Sequence, residues 1–537
     1  MARIDSALEK LARIPTWSLL LVAWLAVYAS RPGTLGFYED DWQVIVPAAQ
    51  NTAPFTWDRL SYHMEIYGNR PGAGLLAFGL SSVCQASPVR WQVALGLAWL
   101  AVAFALRAMF RAILRLSAPD QLWAADAAAA LWLVFPWALG FTAWPTMASG
   151  FASPLFFALA AHALFSEWAD GRSRSLRASL FFLFSILTYE MFYFQFVPLF
   201  LAGWWLGAVR TGGGRRFARS LGLWVGAQVL AVAWNRAAPL FISVAGSEPL
   251  RLSEWTTQIL HLPKRLPALF QRGSPLPEIM LALLPLALCA AAILLQSYLF
   301  KQRPVARKQA GLLALCGLGI LIGLLVLAVA GYSIAWVGQG SRRTLCFSVW
   351  FAAALAIALS SVGSRPGKWR LAAATLSVAL GILMVAVTHT RLRAWSEVWD
   401  IQQNTIATAP VQHFRSATPG AVVLLTGSHR HNGVTTFSGR YGLDGIMKCN
   451  FPEVVKRRLR FLPARDDYIT TWDGQVLLQR RAMDGRRMCR LKADEVWVWE
   501  RGESTAFRAA APFEHPSPSE DVRVTDRRRG TAAGAGL

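Results

Sequence analysis

Acidic residues are scarce in this chain: 31 Asp and Glu stand against 54 Lys and Arg in 537 residues, and 16% of positions carry charge. With 54% hydrophobic residues, a mean hydropathy of +0.36 and long uncharged runs, the composition selects one polytopic membrane domain with an appendage over several soluble domains. Cysteine is also sparse, and none of the six forms a CxxC pair, which argues against a zinc or thioredoxin-like site. No Walker A sequence occurs, since the run from Gly363 to Lys368 has the wrong spacing, and GxSxG, HExxH and a helix-opening GxGxxG are missing too. ATP-driven transport and the common hydrolase chemistries therefore find no support. A net charge of +23 would point to nucleic acid in a soluble protein, but the arginines here cluster between apolar spans. That is a topology signal, and no nucleic-acid partner is expected.

What is present is a succession of apolar runs. After a short basic start comes Pro15 to Ser30, read as a signal anchor. Residues 31–88 are too polar to span; Trp42 to Ala49 and Trp57 to Tyr67 read as interfacial helices, and Gly72 to Cys84 as a short apolar helix that does not cross. Crossings are predicted over 90–110, 122–141, 151–168, 221–244, 278–300, 311–332, 345–361 and 371–388. The apolar run from Ala178 to Val209 is too long for one span, at roughly 48 Å if helical, and has arginines at both ends. It is predicted to be a hairpin of two short helices turning near Tyr189-Glu190. About eleven spans result, with the N-terminus inside, because every internal loop is basic. Arg107, Arg111 and Arg115 share one helical face and are read as topological. Trp137, Trp144 and Trp204 are read as interface-belt residues. Residues 391–514 carry strand-like runs at Ala421 to Thr426, Gln475 to Gln479 and Glu495 to Trp499, and form a small α/β or mostly β domain outside. Cys449 and Cys489 could pair there. Residues 515–537 read as a disordered tail.

Chemistry concentrates on the outer face. Glu39, Asp40 and Asp41 form an acidic triplet between aromatics in the first external loop, either a functional cluster or a turn in which Asp40 or Asp41 caps the following helix. External cations are His63, Arg70, Arg236, Arg342 and Arg343, and Tyr189-Glu190 stands at the hairpin tip. His63 and Arg236 each have a bland reading as well, structural for the first and snorkelling to outer headgroups for the second. Together these are the parts needed for glycosyl transfer from a lipid phosphate: a carboxylate takes the proton of an acceptor hydroxyl, and arginines stabilise the departing phosphate.

An N-terminal span, acids in the first external loop and Asn69-Arg70-Pro71 leading into an apolar helix resemble the GT-C superfamily of polyprenyl-phosphate-sugar-dependent glycosyltransferases. The Leu187-Thr188-Tyr189-Glu190 hairpin is similar to uncharacterised bacterial members, and the likeness covers the membrane half. The resemblance implies a GT-C-like domain over 1–390, an inverting hexosyl- or pentosyltransferase, and a polyprenyl-phosphate sugar donor. It also implies a glycan, lipid or protein acceptor and residence in a bacterial inner membrane with the C-terminal domain outside. Carried over, it makes Asp40 or Asp41 the base, the other acid a positioning or metal-binding group, and Arg70 a phosphate or acceptor contact. Three acids in a row depart from the pattern and leave the base open among Glu39, Asp40 and Asp41. A divalent cation is used by some members and not by others, and nothing in the sequence requires one. An O-antigen-type polymerase or ligase, and a lipid-linked sugar flippase or transporter, are the competing readings. The first would put its richest loop late in the chain, and the second would spread charge along a central path.

Overall fold

Proline and serine punctuate the apolar runs and set where the helices begin. A computed structural model describes residues 17–38, 40–136, 139–208, 213–241, 304–329, 344–363, 368–427, 430–431, 434–437, 439–451, 454, 456–464, 468–481 and 487–515. The helices are α1 (Trp17–Tyr28), α2 (Asp41–Asn51), α3 (Trp57–Tyr67), α4 (Pro71–Cys84), α5 (Pro88–Ser117), α6 (Trp123–Leu133), α7 (Leu139–Thr142), α8 (Ala152–Asp170) and α9 (Ser175–Thr188). They continue with α10 (Phe196–Trp205), α11 (Gly214–Phe241), α12 (Pro304–Val329), α13 (Leu345–Gly363), α14 (Lys368–Ala407), α15 (Val411–Ser416) and α16 (Gly439–Asn450). By its contacts the chain divides into two compact units: Met1–Phe37 with Val44–Ser396, and Tyr38–Gln43 with Glu397–Leu537.

In the first unit, α4 and α5 each open on a proline at the first helical position, where its missing N–H costs nothing. Buried aromatics fill the helix interfaces: Trp99 lies against Trp132, and Phe182 stacks on Trp224 at 4.3 Å between ring centroids. Buried charges are met by ion pairs or by backbone carbonyls. Asp126 on α6 is fully buried and takes Arg107 at 2.5 Å and Arg111 at 2.6 Å, so two of the three arginines along α5 are tied to structure. Five helices among the described residues are long and apolar enough to cross a membrane: 88–117, 145–170, 214–238, 308–329 and 371–407. That is fewer than the eleven expected. Hydropathy windows read through breaks: the run predicted over 122–141 holds an eleven-residue helix ending at Leu133, ahead of Pro136. The α1 helix is described over 12 residues, and the residues ahead of Trp17 in the predicted run lie outside the described residues. The span predicted over 278–300 and Trp137 lie outside the described residues. The predicted hairpin is present as α9, a 3-10 turn Glu190–Phe192, and α10, with the break where the acid falls. Trp204 is exposed, as an interface residue would be, whereas Trp144 is 1% exposed and belongs to the packing.

The second unit is mixed α/β. Its strands are β1 (Val422–Thr426), β2 (Arg430–His431), β3 (Val434–Thr435), β4 (Arg460–Pro463), β5 (Tyr468–Trp472), β6 (Val476–Arg481), β7 (Arg487–Lys492), β8 (Val496–Glu500), β9 (Ala506–Arg508) and β10 (Phe513–His515). One sheet runs β4-β1-β8-β9, with β1 parallel to β4 and β8, and β9 antiparallel at the edge. Every residue of β1 is buried, as a central parallel strand demands. The other sheet, β10-β5-β6-β7, is antiparallel. Its β5–β6 turn is Asp473-Gly474: the Asp473 carboxylate accepts the Gln475 and Val476 N–H groups at 2.9 and 2.6 Å, and Gly474 takes φ +98°. The runs expected to be strands fall on β1, β6 and β8. Cys449 and Cys489, expected to pair, are separate thiols. They face different neighbours: the Cys449 sulfur donates to the Trp42 carbonyl at 3.3 Å, and Cys489 on β7 packs against the sheet core around Val422 and Leu477.

Candidate functional site

Arg70 ends the turn after α3, and Pro71 starts α4 immediately behind it. The Arg70 backbone caps that helix, while its side chain makes no capping bond and reaches instead across 120 residues to Glu190, Nη2 to Oε1 at 2.5 Å. Glycine makes the approach close enough. A Cβ on Gly72 would lie 2.7 Å from the Thr188 hydroxyl and 3.3 Å from the Leu187 carbonyl, so α4 and the last turn of α9 meet backbone to side chain there. Thr188 ends α9 with its hydroxyl bonded to the Phe184 carbonyl at 2.7 Å; Tyr189 is extended, and Glu190 opens the 3-10 turn.

This turn is held from several sides. Ser153 on α8 donates to the Ser185 carbonyl at 2.9 Å, Trp350 on α13 donates to the Gln195 side chain at 2.5 Å, and the Phe194 N–H donates to Gln228 on α11 at 3.1 Å. Phe194 adopts φ +63°, a conformation that bulky residues take only when neighbours over-determine it. Around the ion pair, the Arg70 guanidinium lies 4.8 Å from the Tyr189 ring centroid, and the charges of Glu190, Arg70 and Arg236 all act on Tyr193. Arg236 is brought there because Trp234 and Asn235 on α11 donate to the Gly68 and Asn69 carbonyls, at 3.0 and 3.4 Å. Of the residues singled out in the sequence, the structure thus gathers Arg70, Tyr189, Glu190 and Arg236. The pair is neither sealed nor free in water, its side chains being 23% and 27% exposed. Glu190 Oε2 is buried and has no hydrogen-bond partner among the described residues.

His63 belongs elsewhere. It is buried between α3 and α4, with Nε2 2.7 Å from the Ser81 hydroxyl, and burial with the adjacent Arg59 guanidinium pushes its pKa down to about 4. Arg59 itself, which sequence reasoning passed over, donates to Ser81 and Ala48 carbonyls at 3.0 Å each and is a structural clamp. The acidic loop lies in the second unit. Asp41 is fully buried, and its Oδ2 accepts the Tyr38 N–H at 2.7 Å; Asp40 is partly exposed, and its carbonyl accepts the Gln43 N–H at 2.9 Å. Trp42 next to it stacks on Trp399, 6.1 Å between centroids. Glu39, Arg342 and Arg343 lie outside the described residues. Among the described residues no three His, Cys, Asp or Glu side chains converge, so no described set fits a divalent cation.

No protein-family model and no curated protein matches the chain in sequence. Solved structures similar in fold include the oligosaccharyltransferase of Archaeoglobus fulgidus tethered through a disulfide to an acceptor peptide containing the NVT sequon, at 12% identity and TM-score 0.43, over 83% of this chain and 63% of that one. The apo form of the same enzyme gives 13% identity and TM-score 0.40 over 84% and 64%, and its complex with Zn and sulfate gives 12% and 0.38 over 83% and 62%. The chain spans less than two thirds of that enzyme's length. Likeness of this degree concerns the path of the chain and says nothing of chemistry.

Proposed function

We propose that the protein is a membrane glycosyltransferase that moves a sugar from a polyprenyl-phosphate donor to an extracytoplasmic glycan, lipid or protein, with inversion at the anomeric carbon. The observation that carries this reading is the Arg70–Glu190 pair, a guanidinium fixed by a carboxylate and an aromatic ring where two short apolar helices end. A guanidinium held in that way is preorganised to meet negative charge as it develops on a leaving phosphate, which is where electrostatic stabilisation is most effective. The acceptor oxygen bonds to the anomeric carbon while the bond from that carbon to the phosphate oxygen breaks. The hydroxyl proton passes to a carboxylate, and the charge left on the polyprenyl phosphate is met by Arg70. Glu190 positions Arg70, and Arg236 adds positive potential.

For the proton acceptor, Asp40 is the better of the two acids described in the triplet, because the Asp41 carboxylate is buried and holds the Tyr38 N–H. Glu190 has a specific observation in its own favour, the second carboxylate oxygen that no described group occupies. Transfer of a labelled sugar from a polyprenyl-phosphate donor in liposomes separates them. Asp40→Asn lowers turnover about 100-fold or more if Asp40 is the base; because Glu190→Gln also frees Arg70 and slows transfer in either case, Glu190 is the base only if Asp40→Asn leaves turnover intact while Glu190→Gln lowers it about 100-fold or more. If neither substitution slows transfer, carboxylate catalysis at both positions is refuted.

A further inference from the structure

The other end of α9 carries a second constellation that the transfer reading leaves unused. Arg107, Arg111 and Arg115 lie along one face of α5, and Asp126 takes the first two. Arg115, one turn further, makes no ion pair among the described residues and lines a cavity of ≈ 310 Å³ between α5, α8 and α9. Arg174 and Arg177, at the start of α9, line it too, as does His162 of α8. Arg177 makes no ion pair among the described residues and has the Phe181 ring beside it, 5.3 Å from its guanidinium to the centroid. Arg174 is bridged to Asp170 at 2.7 Å, so one of the three arginines is offset and two are not. His162 uses Nδ1 on the Ala108 carbonyl at 3.1 Å, which leaves Nε2 for the cavity. The remaining wall is mostly apolar, with Ala112, Leu159, Ala163 and Phe181, and its polar members are Ser166 and the Asp170 carboxylate bridged to Arg174.

Two arginines that make no ion pair among the described residues, in a concave site whose lining carboxylate, Asp170, is taken up by Arg174, form with the apolar wall a receptor for a phosphate group that carries a hydrocarbon part. Arginine forks match phosphate oxygens, and basic pockets between membrane helices on the side of the basic loops suit anionic headgroups. Glu190 stands at the far end of the fourteen-residue α9, about 21 Å of helix away, so the cavity is not part of the Arg70 site. We propose that the cavity is a second site, binding a phosphate-bearing headgroup, phosphodiester or pyrophosphate, through Arg115 and Arg177. The inference stands independently of the transfer reading.

The test uses the full chain in nanodiscs of phosphatidylcholine with and without phosphatidylglycerol, with tightly bound lipid counted by mass spectrometry. A parallel arm titrates inorganic pyrophosphate into detergent-solubilised protein. Each cavity arginine is expected to contribute about fivefold to retention, so that Arg115→Gln with Arg177→Gln lowers it about 25-fold. Arg172→Gln, which removes one positive charge from the loop ahead of α9 outside the cavity, leaves retention unchanged. Ala169→Phe, at an exposed position on the cavity rim, abolishes retention with every arginine in place and guards against misfolding of the double variant. Arginine-dependent enrichment of phosphatidylglycerol assigns a lipid headgroup, and arginine-dependent pyrophosphate binding without lipid enrichment assigns a soluble phosphate. Equal losses from Arg172→Gln and the cavity variants, or no binding of either probe by the wild type, would overturn the site.

Discussion

Replacing Gly72 by Ala probes the contact that sets Arg70 beside Glu190. The new Cβ would sit 2.7 Å from the Thr188 hydroxyl oxygen and 3.3 Å from the Leu187 carbonyl carbon and oxygen. The hydroxyl cannot swing away freely, because it donates to the Phe184 carbonyl at 2.7 Å and losing that bond costs about 0.5–1.5 kcal/mol. The alternative is for α4 to back away from α9, and overpacking of that kind costs about 1–3 kcal/mol. The first route thus destabilises the protein by about 0.5–1.5 kcal/mol and the second by about 1–3 kcal/mol. A shift of this size also loosens the geometry at Arg70, where displacement by about 1 Å can cost on the order of 100-fold in rate. Thr188→Ala removes the obstructing oxygen, so the double variant recovers most of the loss, which gives a coupling of about 1 kcal/mol or more in the cycle. Unfolding of the four proteins in detergent, read beside sugar transfer, supplies the numbers. If Gly72→Ala unfolds like the wild type and shows no coupling to Thr188→Ala, the close approach is not what places Arg70.

Asp41→Asn disturbs a fully buried carboxylate that accepts the Tyr38 N–H, so it lowers stability by about 1–3 kcal/mol, measurable by denaturant unfolding. His63, held down at about 4 by burial and by Arg59, is neutral in the fold where the unfolded chain takes up a proton. Its contribution to stability is therefore complete above about pH 6.5 and is lost as pH falls towards 4; His63→Gln flattens that stretch of the stability profile. Burial pushes the Cys449 thiol up to about 11, so it alkylates slowly in the native protein at pH 8. After unfolding without reductant, both Cys449 and Cys489 label, whereas a disulfide would leave both blocked.

What could be read in the sequence was local. The break in the apolar run at Tyr189-Glu190 was legible because a carboxylate has no place mid-helix in hydrocarbon, and the structure ends α9 at Thr188. The helices α2 and α3 and the start of α4 were legible from amphipathic spacing and from Pro71. Partners distant in sequence were not. Nothing near Arg70 announces Glu190, 120 residues on, and the glycine that lets them meet looks like any other in an apolar run. Nor does the acidic triplet reveal which carboxylate is consumed by its own loop; that depends on the Tyr38 N–H pointing at Asp41. The basic residues around the apolar runs read alike in sequence, yet Asp126 separates Arg107 and Arg111 from Arg115. Span counting went furthest astray where prolines divide an apolar run, as between α6 and α8.

The central claim is that Arg70, fixed by Glu190, meets the charge of a departing lipid phosphate. It is tested most directly by supplying a polyprenyl-phosphate sugar to the purified chain in liposomes and following release of free polyprenyl phosphate together with sugar transfer. The wild type is expected to produce both in equal amounts, and Arg70→Ala to lose about 100-fold or more of each while keeping the wild-type unfolding profile. Undiminished release by folded Arg70→Ala would contradict the account.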